Sequence, residues 1–230
     1  MSESKGFSQF CPVSMATEVL CTRWTPLVIR ELLCGSARFG DLRRGVPRMS
    51  PTLLSQRLKE LEAAGVVRVD TGARGTPEYH LTEAGEELRP VIMALGNWGQ
   101  RWVESSLSLR NLDPSLLMWD MRRWLRPEPL PPHRCTVQFQ YRDLEAARRN
   151  WWLVIENGEV DLCLTDPGHE VDLLVNATLR AMTAVWMGIV RLKDEVGEGA
   201  IILDGNPGVA RSMDRWLGLS PFADQTRRVV

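Results

Sequence analysis

The sequence has only three histidines and two tyrosines among its 230 residues, and its five cysteines include no C-x-x-C pair. An odd number of cysteines without paired spacing argues against a disulfide framework and against a zinc site. His80, His133 and His169 are scattered, and no Ser/His/Asp, paired-carboxylate or metal-binding arrangement is present. We therefore expect no metal, no cofactor and no enzymatic activity.

Long apolar segments are also missing. The longest uncharged apolar run, "AMTAVWMGIV" at residues 181–190, is much shorter than the ~20 residues that span a bilayer. The amino terminus, "MSESKGFSQF", is polar and lacks the apolar core of a signal peptide. These features predict a cytoplasmic protein in a reducing compartment, without membrane insertion.

Net charge is nearly absent at −1, but its distribution is uneven. Residues 20–75 contain ten basic and five acidic residues, whereas residues 111–230 contain fourteen basic and seventeen acidic residues. This asymmetry predicts a polyanionic partner for the first half alone. The length and the 44% hydrophobic content allow one or two domains with real cores.

The segment "SPTLLSQRLKELEAAG" at residues 50–65 predicts a helix with a sharply defined start. Ser50 can cap it, Pro51 suits its first turn and Gly65 can end it. One side carries a leucine stripe typical of a buried face. The other side and its flanks carry short or polar hydrogen-bonding side chains, namely Thr52, Ser55, Gln56, Arg57 and Lys59. Such a surface is unusual for solubility alone and favours contact with a partner.

The flanking segments complete a recognisable order of elements. A short helix is predicted over 38–45, and Gly45 and Pro47 turn the chain before the next helix. Downstream, "VVRV" and "PEYHL" predict two short strands, with Arg74 at the tip between them. A helix-turn-helix followed by a hairpin is a winged helix, whose second helix enters the DNA major groove. Taken singly, each helix is more often a plain packing element than a reader of DNA.

At this point a family resemblance becomes specific. The segments "CPVSMATEVLCTRWTPLVIRELL", "RFGDLRR", "LSQRLKELEAAGVV" and "YHLTEAG" resemble, over about residues 10–105, the HxlR family of bacterial winged-helix transcriptional regulators. The resemblance implies a homodimer that binds double-stranded operator DNA. The wing departs from the family because its glycine-rich tip carries fewer prolines and charges. The residues expected to contact DNA are Ser50, Thr52, Ser55, Gln56, Arg57, Lys59 and Arg74.

A second helical pattern follows Thr82, which can cap it. Its apolar positions are spaced by 3, 4, 3 and 4 residues, as in the seam between two paired helices. This seam is either packed on its own domain or, as the implied dimer favours, paired with a second copy. Its members are Leu88, Val91, Leu95, Trp98 and Trp102.

Cys11 is a candidate for a redox-active thiol, because some proteins that resemble this one sense oxidants at the Cys-Pro position. A reactive thiol needs a lowered pKa, and in the sequence only Lys5 and Arg23 lie at all near. The alternative is a small buried side chain without reactivity.

The second half has a different organisation. A helix within residues 110–126 is followed by four prolines between 127 and 132, which mark a boundary. We therefore predict a winged-helix DNA-binding and dimerisation domain at 1–110 and a second domain at 111–230.

Asn157-Gly158 predicts a hairpin turn that pairs Ile155 with Val160, Leu153 with Leu162 and Trp151 with Leu164. Strands are also expected at 135–141, 170–176 and 200–205.

These strands predict an antiparallel meander with one apolar face, covered by a helix over 178–196 and a last helix near 207–218. The whole chain is then α+β. The succession over about 112–223 resembles the sterol-carrier-protein-like domain, in which a sheet and its helices enclose a tunnel for sterols or acyl chains. The resemblance implies a small hydrophobic ligand, and the alternative is a solid core. The candidate ligand-binding residues are Phe139, Leu153, Leu162, Leu173, Met182 and Trp186.

Three functions remain open at this stage. The first is a dimeric DNA-binding regulator modulated by a small apolar or acyl-like ligand. The second is a hydrophobic-ligand carrier whose first domain serves mainly for dimerisation. The third is a regulator whose solid second domain recruits a partner.

Overall fold

The computed structural model describes residues 6–7, 9–73, 75–104, 106 and 109–229. It divides into two compact units, unit 1 at Met1–Leu95 and unit 2 at Gly96–Val230. The border lies inside one helix, fifteen residues before the predicted one, and the predicted domain limits of 1–110 and 111–230 remain a proposal. No helix within the described ranges is long and apolar enough to cross a membrane.

Unit 1 is a helical cluster with a two-stranded hairpin. Its elements are α1 (Pro12–Leu20), α2 (Thr25–Leu33), α3 (Phe39–Gly45), α4 (Pro51–Ala63), β1 (Val67–Thr71), β2 (Pro77–Leu81), α5 (Glu83–Glu86) and α6 (Arg89–Trp102), the helix that contains the border. The helix predicted over 38–45 is confirmed as α3, and the helix predicted to follow Ser50 is confirmed as α4.

The ends of α4 show why this segment is helical. The backbone N–H of Leu53 donates to Ser50 Oγ at 3.2 Å, and proline occupies the first position, where its missing N–H has no intrahelical partner. Gly65 ends the segment with φ of +72°, a conformation that suits glycine. Leu54, Leu58 and Leu61 are buried in the core of unit 1, as their spacing predicted.

The hairpin forms the predicted wing. β1 and β2 pair antiparallel from Val67↔Leu81 to Thr71↔Pro77. The chain before α3 extends this small sheet, because the backbone N–H of Tyr79 donates to the carbonyl of Ala37 at 2.8 Å. The order of helix, turn, helix and hairpin confirms the winged helix-turn-helix prediction for this half.

Unit 2 is built around a five-stranded sheet. Its elements are α7 (Pro114–Trp124), β3 (Cys135–Tyr141), α8 (Ala146–Arg149), β4 (Asn150–Glu156), β5 (Glu159–Cys163), β6 (Leu173–Ala177), α9 (Leu179–Trp186), α10 (Leu192–Gly197), β7 (Ile201–Gly205), α11 (Pro207–Arg211) and α12 (Met213–Trp216). The strand order is β5-β4-β3-β6-β7.

The prediction of a purely antiparallel meander was wrong. β3 and β6 pair parallel, with Val137 opposite Leu173 and Tyr141 opposite Ala177, so the sheet is mixed. The chain leaves β5 at one edge and crosses back to the far side of β3. Alternating apolar residues specify which face of a strand is buried, but they do not specify the neighbouring strand.

The Asn157-Gly158 hairpin is confirmed, since both residues have positive φ, +53° and +77°. Ile155 pairs with Val160 and Leu153 with Leu162, as predicted. The third predicted pair, Trp151 with Leu164, does not form, because β5 ends at Cys163 and Leu164 is exposed.

The single helix predicted over 178–196 is two helices, α9 and α10. The carboxyl end of α9 is followed by Gly188 with φ of +69°, and the chain turns there before α10 begins at Leu192. One core in unit 2 joins α7, α9 and α12 to one face of the sheet, with Phe139, Leu153 and Trp216 fully buried.

Candidate nucleic-acid interface

The solvent side of α4 presents most of the expected DNA-contacting residues. Ser50, Thr52, Gln56 and Lys59 are exposed, and Ser55 is half-buried beside them. The helix turns its leucines to the core, so these polar side chains share its outward side at the amino end. A helix of thirteen residues with an accessible amino-terminal surface has the dimensions to enter a major groove.

Arg57 is placed differently from the five expected contacts described above. Its side chain is only 13% exposed, because its Nε donates to the carbonyl of Arg23 at 3.3 Å and its Nη1 pairs with Glu60. The position lies next to the leucine stripe on the helix, so a long side chain here lies along the protein surface. In this geometry Arg57 links α4 to the loop before α2 through the carbonyl of Arg23. Its contact with DNA stays a prediction.

Exposed arginines near α4 were not among the expected contacts. Arg43 and Arg44 lie at the end of α3, and Arg48 lies in the turn that leads into α4. Arg44 also pairs with Asp41 at 3.5 Å. The signal for these residues was present in the positive charge of residues 20–75, and side chains of this type neutralise phosphates whatever the base sequence.

Arg74, which was predicted to lie at the tip of the wing, is outside the described residues. Around it, the backbone N–H of Gly72 donates to the carbonyl of Thr76 at 2.8 Å, closing the loop between β1 and β2. On β1, Arg68 pairs with Asp70, so its charge is partly neutralised within the wing.

A buried polar cluster fixes α3 to α2, and it was not predicted. Glu31 is fully buried, and its carboxylate accepts from Arg30 Nη2 at 2.8 Å and from Ser36 Oγ at 3.4 Å. The same Arg30 nitrogen donates to the carbonyl of Gly45 at 3.0 Å. Because Gly45 has no side chain, the carboxylate fits against the end of α3, which sets the start of the turn into α4.

The helix predicted to follow Thr82 is two helices, because Thr82 caps only the short α5, and the predicted seam divides into two groups. Leu88 packs against the core of unit 1, as the own-domain alternative supposed. Val91, Leu95, Trp98 and Trp102 are between 42% and 61% exposed. Four large apolar side chains repeating at three and four residues on one helix face form an unusual surface for a single chain.

Cys11 is partly exposed and precedes the first residue of α1. Hydrogen bonds from the backbone N–H groups of Ser14 and then Val13 lower the pKa of its thiol. The thiolate of Cys11 is therefore stabilised by the amino end of α1 and not by a neighbouring cationic side chain, which is the only source that the sequence indicated. This geometry keeps Cys11 a candidate for a reactive thiol.

We predict that iodoacetamide modifies Cys11 faster than the exposed Cys21 at pH 7. At a pH below the usual thiol pKa, a lowered pKa raises the fraction of Cys11 that is present as thiolate. The thiolate is the species that reacts with iodoacetamide. The advantage shrinks as the pH rises and the remaining thiols ionise. Peptide mass spectrometry over a pH series measures both rates, and equal rates at every pH contradict a helix-activated thiol.

The six predicted ligand-binding residues lie together in the core of unit 2, with Leu162 at its partly buried border. Phe139, Leu153, Leu173 and Met182 have no accessible surface at all. A side chain that lines a space large enough for water would show accessible surface, so these four contact protein on every side. Binding of a hydrophobic ligand by the six residues stays a prediction.

An open cavity of about 460 Å³ lies elsewhere in unit 2. It is bounded by the proline segment, with Pro127, Pro131 and Pro132, and by the end of the β4–β5 hairpin. Leu130 and Ile155 supply apolar surface to it. None of the six predicted residues lines this cavity.

No three His, Cys, Asp or Glu side chains cluster closely enough to hold a metal ion in the part of the chain that the structure describes.

The first half of the chain is similar to known helix-turn-helix regulators. A family model described as HxlR-like helix-turn-helix matches residues 19–107. The HTH-type transcriptional regulator YvaP of Bacillus subtilis is 39% identical over 103 residues, 43% of this chain and 94% of YvaP. The HTH-type transcriptional regulator sll1512 of Synechocystis sp. is 36% identical over 96 residues, 41% of this chain and 71% of that protein.

Among solved structures, the reduced form of the redox regulator HypR shares 32% sequence identity with a TM-score of 0.36. The match covers 39% of this chain and 91% of that chain. The family match ends at residue 107, so it does not describe most of unit 2.

Proposed function

Since this chain belongs, through residues 19–107, to the HxlR-like helix-turn-helix family, we propose that it is a transcriptional regulator that binds operator DNA sequence-specifically as a homodimer. The observation that carries the proposal is the outward side of α4. There Thr52 and Gln56 are exposed and uncharged, while Lys59 and the nearby arginines supply positive charge. Uncharged donors and acceptors read base edges, and cations position the protein on phosphates.

The exposed apolar face of α6 supports the homodimer. Pairing Leu95, Trp98 and Trp102 with the same residues of a second copy would remove them from water. A two-fold axis at this helix would present two copies of α4 to successive major grooves, about 34 Å apart. Both protomers of the dimer then contact the operator in the same complex, one at each half-site.

We predict that Gln56→Ala changes base preference at one or two operator positions, because a glutamine pair with adenine supplies about 1–3 kcal/mol of discrimination. Lys59→Ala is the matched variant on the same helix side. It should weaken binding to all sequences about equally and lower the salt slope by about one. Selection from random duplexes measures the base preference of both variants, and titrations at several salt concentrations measure the slope. An unchanged preference in Gln56→Ala removes that residue from the reading surface.

We further propose that unit 2 is a regulatory module for a small apolar or acyl-like ligand, in keeping with its resemblance to sterol-carrier-protein-like domains. A ligand changes operator affinity only when it prefers one state of the dimer. Because four of the six predicted ligand-binding residues have no accessible surface, the ligand either opens that core or occupies the cavity beside the proline segment. The cavity volume is within the range of small-molecule sites.

A solid, partner-recruiting unit 2 is the second candidate, favoured by the four core side chains without accessible surface. Mass spectrometry of organic extracts from the purified full chain separates the two candidates. A stoichiometric apolar compound supports the ligand module, and none after expression in rich medium favours the solid domain. The third possibility, a ligand carrier dimerised through unit 1, requires that the chain does not bind operator DNA at low salt.

A further inference from the structure

The second half of α6, residues 96–102, has little intrinsic tendency to form a helix. Its sequence, "GNWGQRW", contains two glycines and an asparagine. Apart from proline, glycine is the least favourable residue in a helix interior. Yet this half carries Trp98 and Trp102, the two aromatic residues of the proposed dimer interface. Packing against other parts of the chain must therefore keep it helical.

The segment 220–228 packs against the side of this half-helix that is opposite to the tryptophans. Gly96 and Gln100 are four residues apart, so at about 100° per residue they share that side of the helix. A Cβ at Gly96 would lie 2.3 Å from ring carbons of Phe222, so the missing side chain makes room for the ring. Gln100 is only 7% exposed, and its Oε1 accepts from Arg227 Nη2 at 3.2 Å.

The same segment provides hydrogen-bond donors to carbonyl groups at the end of α6. The last carbonyls of a helix have no partner within the helix and need one elsewhere. The backbone N–H of Arg228 donates to the carbonyl of Arg101 at 2.8 Å, and Arg101 Nη2 donates to Gln225 Oε1 at 2.9 Å. Arg227 Nη1 donates at 3.2 Å to the carbonyl of Val103, just after the helix. A guanidinium at this end also interacts favourably with the helix dipole.

The segment 220–228 is in turn bound to the end of α9. The backbone N–H of Ser220 donates to the carbonyl of Trp186 at 2.9 Å. Gln100 also reaches this place directly, because its Nε2 donates to the carbonyl of Met187 at 2.8 Å. The end of α9, the segment and the second half of α6 are therefore joined by one set of hydrogen bonds inside unit 2.

We propose that the segment 220–228 is part of the dimerisation element, with Gln100 and Arg227 as positioning residues. They hold the second half of α6 in the helical conformation that presents Trp98 and Trp102 to a second copy of the chain. The inference rests on the proposed homodimer and makes it depend on a segment far beyond the family match, which ends at residue 107. A displacement of the end of α9 would then change the dimer affinity through the same hydrogen bonds.

Arg227→Ala tests the proposal, and Arg228→Ala is the matched control. Both remove one positive charge, but the Arg228 side chain is exposed and its backbone N–H, which alanine retains, makes the contact with α6. In Arg227→Ala, hydrogen exchange in peptides covering residues 96–102 should become about tenfold faster or more, because hydrogen bonds from a charged donor are lost. The dimer Kd from sedimentation equilibrium should rise by a similar factor. Arg228→Ala should change neither quantity.

Hydrogen exchange in β3 and β4 shows whether unit 2 stays folded, and we expect it to be unchanged in both variants. If it rises in Arg227→Ala, Gly96→Ala is the second variant, because its Cβ would displace the Phe222 ring. It should raise the dimer Kd although alanine favours a helix more than glycine does.

Three results would overturn the inference. If residues 96–102 exchange faster while the dimer Kd stays the same, the segment does not position the interface, and the α6 homodimer stands. If Arg227→Ala and Arg228→Ala behave alike, the named contacts do not hold α6. If the unsubstituted chain is monomeric at every concentration, the proposed homodimer fails and the inference fails with it.

Discussion

Trp98→Glu is expected to convert the proposed homodimer into a monomer and to raise the operator Kd by about 100-fold or more. Trp98 is the most exposed member of the α6 face, at 61%, and a two-fold axis places two copies of the substitution in one interface. Truncating an aromatic anchor typically costs about 2–4 kcal/mol, and a buried unpaired carboxylate adds to that. A monomer also loses the gain in affinity that comes from linking two half-site contacts, which is a factor of about 10²–10⁴.

Sedimentation velocity and anisotropy on the same samples measure this result. Met93→Glu is the matched control, because it adds the same charge on α6 at an exposed position away from the seam. It should leave the mass and the operator Kd nearly unchanged. A dimeric Trp98→Glu protein with unaltered DNA affinity would remove the α6 face from the dimer.

Gly45→Ala is expected to destabilise unit 1 by about 2–4 kcal/mol, the cost of disrupting a buried hydrogen-bonded charge. A Cβ at this position would lie 1.9 Å from the Glu31 carboxyl carbon, so the buried carboxylate must leave its place. Its bonds to Arg30 and Ser36 are then broken or strained. The position of α3, and with it the turn into α4, depends on this contact.

Gly40→Ala provides a closely matched control on the same helix. A Cβ at Gly40 meets nothing within 4 Å, so alanine should be neutral or stabilise the helix by up to about 1 kcal/mol. Hydrogen exchange of peptides covering α2 and α3 reports this unit separately from unit 2. Faster exchange in Gly45→Ala alone supports the contact, and equal protection in the two variants contradicts it.

Local signals were sufficient for the elements that carry the proposed DNA interface. Ser50, Pro51 and Gly65 define α4 through caps and backbone conformation, and its leucines define the buried side. Asn157-Gly158 fixed the hairpin register for the same reason, since positive φ at both residues selects one turn. In each case the determining residues lie within a few positions of the feature.

Features set by distant residues could not be predicted in the same way. The inward placement of Arg57 depends on the carbonyl of Arg23, 34 residues earlier. The parallel pairing of β3 with β6 depends on where the chain crosses after β5. Likewise, an apolar residue such as Phe139 has the same pattern in a solid core as in a tunnel wall, and packing alone decides between them.

The most direct test of the central proposal is an anisotropy titration of the full-length chain on duplexes covering its own upstream DNA, repeated at several salt concentrations. A sequence-specific dimeric regulator should bind one region with a Kd near or below about 10⁻⁸ M, at least about 10³-fold tighter than random duplex of equal length. The affinity should fall steeply as salt rises, with two chains per duplex. If these duplexes, and any obtained by selection, bind no tighter than random DNA even at low salt, the chain is not an operator-binding regulator.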